Sequence, residues 1–104
     1  MTILRRDGAY TILGTGVTVT TTGTSASTAI PTTSANTLPR YVRVTATVES
    51  YIKLGTGAGT TATVNDVMVQ PADAILLSRS ACTHFAVIQG TAAGKVNVQA
   101  LEDN

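Results

Sequence analysis

At 104 residues, the chain has room for one domain built around one hydrophobic core. Only 4% of its residues are aromatic and none is tryptophan, so that core must consist mainly of Val, Ile, Leu and Ala, and association with another surface would add to its small margin of stability. The formal net charge of +1 does not favour a partner with a nucleic-acid backbone or an anionic membrane surface.

The chain opens with residues 1–8, a possible N-terminal arm that contains Arg5 and Arg6. No signal-peptide pattern and no 18-residue apolar stretch is present, and the single cysteine excludes an internal disulfide. We therefore expect a protein that folds in a cytoplasm and does not contact a membrane.

The segment 15–37 has no charge and is rich in Thr, Ser, Ala and Gly. It contains many β-branched residues, which favour strands, so we expect one strand over 16–22 and a weaker one over 25–30, ended by Pro31. The hydroxyl face formed by Thr18, Thr20 and Thr22 would suit contact with another protein, because burying a hydroxyl costs less than burying a charge. A flexible arm or a solvated strand explains the composition equally well.

Residues 40–54 alternate between apolar and polar side chains, which predicts a half-buried strand or strand pair. Val42, Val44 and Ile52 share the apolar parity, whereas Tyr41, Arg43, Tyr51 and Lys53 share the other. Because alternate side chains on a strand point to opposite faces, we expect the second set to form one outward row.

A glycine-rich and threonine-rich loop, 55–61, follows, and four further strands are predicted after it. They cover residues 64–70, 74–78, 84–89 and 95–101, and the chain ends in a short acidic tail, 102–104. Six to eight short strands at intervals of about ten residues predict an all-β fold, an antiparallel sandwich or barrel with no substantial helix.

The candidates for catalysis are few. Cys82 and His84 have the same parity and could pair on one strand face, but no third group that would orient them is evident, and a free cysteine is commonly a small buried hydrophobic residue. His84, Asp66 and Asp73 have neither zinc nor calcium spacing. We expect no enzymatic activity, no metal and no cofactor.

The outward row mixes aromatic and basic groups, as in sheets that bind single-stranded nucleic acid. Glu49 lies in the same row and the net charge is close to zero, which makes nucleic acid the less favoured partner. Tyr41 or Tyr51 could instead stack on a sugar.

Three stretches of the chain, YVRVTATVESYIKLGT, ATVNDVMVQPADAILL and THFAVIQGTAAGKVNVQAL, resemble small virion-associated structural proteins of tailed bacteriophages. The resemblance covers about the last two thirds of the chain and rests on the sequence pattern of the strands, not on an invariant functional motif. It implies a role as a capsid cement or decoration protein and supplies no catalytic residue. The Thr-rich first third departs from it.

Together these observations predict a single-domain antiparallel β-sandwich of jelly-roll type. It would self-associate as a dimer or trimer and bind between major capsid subunits on the virion exterior, stabilising the shell. The expected contact residues are Arg5, Arg6, Thr18, Thr20, Thr22, Tyr41, Arg43 and Tyr51. The alternative is a tail or fibre module that recognises a host-surface glycan.

Overall fold

The computed structural model describes residues 16–101, which form eight β-strands and no helix. The all-β prediction is therefore confirmed for this part of the chain. The strands are β1 (Gly16–Thr20), β2 (Ala26–Ala29), β3 (Tyr41–Ala46), β4 (Ser50–Gly55), β5 (Val67–Val69), β6 (Ile75–Ser78), β7 (His84–Gln89) and β8 (Lys95–Leu101).

The strands form two four-stranded antiparallel sheets, an arrangement compatible with the predicted β-sandwich. The first sheet has the order β1-β8-β3-β6, and the second has the order β2-β7-β4-β5. Apart from β4 and β5, strands that follow each other along the chain lie in different sheets. Strands distant in sequence are thus hydrogen-bonded neighbours, and Val17 of β1 lies opposite Val98 of β8.

The core consists of aliphatic side chains from both sheets, together with Phe85. Its buried members are Ile30, Val42, Val44, Ile52, Val69, Phe85, Val87, Val96 and Val98. The alternation of the sequence explains this set, because each strand turns every second side chain toward the other sheet. The side chains of the other parity lie on the outer faces of the two sheets.

The alternating segment 40–54 is divided between two strands in different sheets. Residues 47–49 carry the chain from β3 in the first sheet to β4 in the second. The apolar parity continues across this connection, so that Val44 and Ile52 are both buried in the same core. The side chains of opposite parity consequently face outward from two different sheets.

Strand β5 is shorter than the predicted strand 64–70 because a turn occupies its beginning. The Asp66 N–H donates to the Thr63 carbonyl oxygen (3.0 Å), and the Thr63 N–H donates to Asp66 Oδ2 (2.7 Å). Side chains of this kind satisfy nearby backbone groups and so compete with strand pairing. Only Val67–Val69 remains as a strand, paired with β4.

Candidate interaction surfaces

The outer face of the first sheet carries four of the residues predicted to make contacts. Thr18 and Thr20 on β1 and Arg43 on β3 are exposed, and Tyr41 is partly exposed. The hydroxyl of Thr18 accepts a hydrogen bond from Asn97 Nδ2 on β8 (3.1 Å). These residues share a face, but the hydroxyl of Thr18 is already partly used within the sheet.

Tyr51 and Lys53 lie on the outer face of the second sheet. This face is on the opposite side of the molecule from the outer face of the first sheet, which carries Tyr41 and Arg43. The prediction of one outward row is therefore wrong, because the chain changes sheets between β3 and β4. A single stacking surface that contains both Tyr41 and Tyr51 cannot form on one copy of the domain.

Tyr51 is held by the acid that precedes β4. Its hydroxyl donates a hydrogen bond to Glu49 Oε2 (2.9 Å), and this bond raises the pKa of the Tyr51 hydroxyl above its usual value. Desolvation and the negative charge of Glu49 act in the same direction. The hydrogen bond to Glu49 thus positions the Tyr51 phenol on the outer face of the second sheet.

The remaining predicted contacts are placed differently. Thr22 follows β1 and is exposed, with its hydroxyl donating to the Thr24 carbonyl oxygen (2.9 Å). Arg5 and Arg6, the arm 1–8 and the tail 102–104 lie outside the described residues.

Exposed apolar side chains are grouped at β5, the strand that ends the second sheet, and in the turn before it. We define the apolar edge as Val64, Val67 and Met68, whose exposed fractions are 59%, 48% and 42%. Met68 lies beside Tyr51 on the outer face of the second sheet, whereas Leu76 on β6, which is also exposed, lies beside Arg43 on the outer face of the first sheet. Large apolar side chains that are clustered and exposed indicate an interaction site more often than scattered ones do.

Sequence reasoning placed a strand here but missed this surface. The signal was the run Val67–Val69, since three consecutive apolar residues in a strand place apolar side chains on both faces. Val69 is buried in the core, which leaves Met68 to face outward. A short edge strand is also one way in which proteins limit unwanted strand pairing.

A cleft of about 550 Å³ opens on the outer face of the second sheet. Its lining consists of Lys53, Gly55, Thr56, Gly57, Gly59, Thr60 and Thr61, which belong to β4 and to the following loop. We call residues 55–61 the Gly-Thr loop. The loop is tied back to β2, because the Ser27 hydroxyl donates to the Ala58 carbonyl oxygen. Just after the loop, the Ala62 N–H donates to Oγ of Ser25, the residue before β2 (2.8 Å).

Cys82 and His84, considered above as a possible pair and not favoured, make no hydrogen bond to each other in the described part of the chain. Cys82 precedes β7 and packs against the hydrophobic core, as expected of a small buried hydrophobic residue. His84 Nδ1 is hydrogen-bonded to the hydroxyl of Thr83 (2.8 Å). Among residues 16–101, no group of three or more His, Cys, Asp or Glu side chains is arranged to hold a metal ion.

No protein-family model, curated protein or solved structure matches this chain. The described residues also include no helix that could cross a membrane. A functional proposal must therefore start from the exposed surfaces and from the sequence resemblance.

Proposed function

We propose that this chain is a bacteriophage virion structural protein, a capsid cement or decoration protein without enzymatic activity. It binds between major capsid subunits on the outside of the shell and stabilises the shell against the pressure of the packaged DNA. The observation that carries the proposal is the apolar edge, whose exposed large side chains are of the kind that a protein partner covers. The sequence resemblance supplies the identity of that partner.

We further propose that the sandwich is of jelly-roll type. Strand pairing supports this type, because β1 pairs with β8, β2 with β7, β3 with β6 and β4 with β5. Such pairing is what results when one long hairpin is folded across two sheets. Eight-stranded jelly rolls are found in viral capsid proteins and also in lectins and other proteins, so the fold type supports the proposal without specifying the function.

The apolar edge suits attachment to a capsid subunit in two ways. Strand β5 pairs with β4 on one side, and its other side can accept an extended segment of the partner through backbone hydrogen bonds. The side chains of Val67 and Met68 would then be buried by the added segment, which contributes roughly 25 cal/mol per Å² of apolar surface. Copies bound at neighbouring sites would also contact one another as dimers or trimers.

The first test of the proposal is the copy number of the protein in purified virions, measured against the major capsid protein by quantitative mass spectrometry. Hundreds of copies are expected for a shell component. A handful of copies would instead favour the alternative, a tail or fibre module that binds a glycan, and absence from the virion would refute both.

The second test concerns the apolar edge. Purified protein is added to capsids that lack it, and the bound fraction is measured by sedimentation and gel quantification. We expect Val67→Lys and Met68→Lys to lower occupancy at least tenfold, because each places a charge in a surface that must lose water. Thr91→Lys, in the exposed loop before β8, is the matched control and should bind normally. Equal occupancy for all three variants would exclude the apolar edge as the contact.

A further inference from the structure

The cleft on the second sheet has an unusual combination of polar groups. Within residues 16–101, the Lys53 ammonium group makes no hydrogen bond or ion pair, and no acidic side chain lines the cleft. The other lining residues are glycines and threonines, which expose backbone groups and hydroxyls. The cleft thus offers one positive charge surrounded by neutral hydrogen-bonding groups.

The glycines of the loop differ in whether packing requires them. A Cβ at Gly55 would overlap the Thr60 side chain, so packing requires glycine there. At Gly57 and Gly59, a Cβ would meet nothing within 4 Å, and neither residue has a φ in the left-handed region. Glycine costs conformational entropy on folding, and close approach of a ligand to the backbone is one of its established uses. At these two positions it keeps the backbone open to the cleft.

The threonine hydroxyls of the loop stabilise its shape and remain able to accept hydrogen bonds. Thr60 Oγ1 donates to the Gly57 carbonyl oxygen (2.7 Å), and the Thr60 N–H donates to the same oxygen (3.1 Å). Thr61 Oγ1 donates to the Gly59 carbonyl oxygen (3.2 Å). Each hydroxyl has used its proton within the loop but keeps lone pairs for a donor on a ligand.

We propose that this cleft binds a sugar that carries a carboxylate. Lys53 attracts the carboxylate, while threonine oxygens and backbone groups of the Gly-Thr loop hydrogen-bond to the sugar hydroxyls. The volume of about 550 Å³ is within the range of small-molecule sites, and the cleft is shallow and open to solvent, so a bound sugar would remain partly exposed. This inference does not depend on the virion proposal. It concerns the cleft beside β4 and the Gly-Thr loop, whereas the virion proposal rests on the apolar edge.

The test is an NMR titration of the whole ¹⁵N-labelled chain with glucuronate, glucose, glutamate and inorganic phosphate. For glucuronate we expect saturable shifts confined to residues 53–61, with a Kd of about 1 mM. Glucose lacks the charge and glutamate lacks the hydroxyls, so each should bind several-fold more weakly. If glutamate or phosphate binds as tightly as glucuronate, or if the shifts spread over the whole surface, the proposal is wrong.

Two variants locate the site. Lys53→Gln should weaken glucuronate binding about threefold to fivefold, the effect of one exposed charge pair, whereas Lys95→Gln on the first sheet should leave it unchanged. Gly57→Val should abolish binding by filling the cleft, and because nothing lies within 4 Å of that position the fold should be retained. Wild-type affinity in Gly57→Val would refute the assignment even if Lys53→Gln were disordered.

Discussion

Two threonines hold the start of β8 in the same way, one buried and one exposed, and they allow a matched test of what a buried hydroxyl contributes. The Thr21 N–H donates to the Gly94 carbonyl oxygen (2.8 Å), and the Gly94 N–H donates to Thr21 Oγ1 (2.9 Å). On the other side of β8, the Thr47 N–H donates to the Lys95 carbonyl oxygen (2.9 Å), and the Lys95 N–H donates to Thr47 Oγ1 (2.9 Å).

Replacing each threonine by valine changes a hydroxyl to a methyl group while keeping the shape and the β-branching. Thr21 is only 1% exposed and Gly94 is partly buried, so in Thr21→Val the Gly94 N–H loses its acceptor where the access of water is restricted. An unsatisfied buried donor costs about 1–3 kcal/mol. Thr47 is exposed, and in Thr47→Val water can hydrogen-bond to the Lys95 N–H, so the change should stay within about 0.5 kcal/mol.

The free energy of unfolding is measured for both variants by urea denaturation, followed by circular dichroism in the far ultraviolet. We expect Thr21→Val to lower the midpoint clearly, with an unchanged slope, and Thr47→Val to unfold almost as the wild type does. If the two variants were destabilised equally, burial would not explain the contribution of the Thr21 hydroxyl to the free energy of unfolding, and the reasoning would be refuted.

Three further predictions follow from the core and its surface. Gly94→Ala should cost about 1–3 kcal/mol in urea denaturation because its Cβ would overlap the turn before β4, whereas Gly57→Ala should be nearly neutral; equal effects would contradict this. Phe85→Ala should cost about 3–5 kcal/mol, a large part of the stability of a small domain, and a cost below 1 kcal/mol would contradict the packing. Glu49→Gln should lower the pKa of Tyr51, followed by NMR of the tyrosine ring; an unchanged pKa would exclude the bond to Glu49.

The direction of the Tyr51 effect on stability follows from the raised pKa. The unfolded tyrosine ionises near pH 10, and the folded one ionises at a higher pH. The hydrogen bond to Glu49 therefore contributes its full stability below about pH 10, and this contribution is lost as the pH rises through the folded pKa. Measurements of unfolding at pH 8 and pH 11 should show a smaller loss at high pH in Glu49→Gln than in the wild type, and an equal loss would contradict the assignment.

Strand positions could be read from the sequence to a large extent because alternation is a local property. Strands β7 and β8 have the predicted bounds, and β1 and β2 lie within theirs. The change of sheet between β3 and β4 could not be read in this way. Alternation of apolar and polar residues shows which side chains face the core. The alternation is identical whether the chain continues in one strand or crosses to a new strand in the opposite sheet.

The apolar edge and the cleft, which are the two surfaces proposed to bind partners, were harder to predict because they depend on pairing between strands that are distant in the sequence. Val67 and Val69 are the same residue type, in the same strand and with the same parity, yet one is 48% exposed and the other is fully buried. No local pattern separates them, since the difference depends on where the opposing sheet ends. The same holds for the cleft, which exists because the Gly-Thr loop folds back to Ser27 on β2, a strand about thirty residues earlier in the chain. In a domain whose strands pair far along the chain, local sequence therefore predicts faces, while pairing between distant strands decides which faces remain exposed.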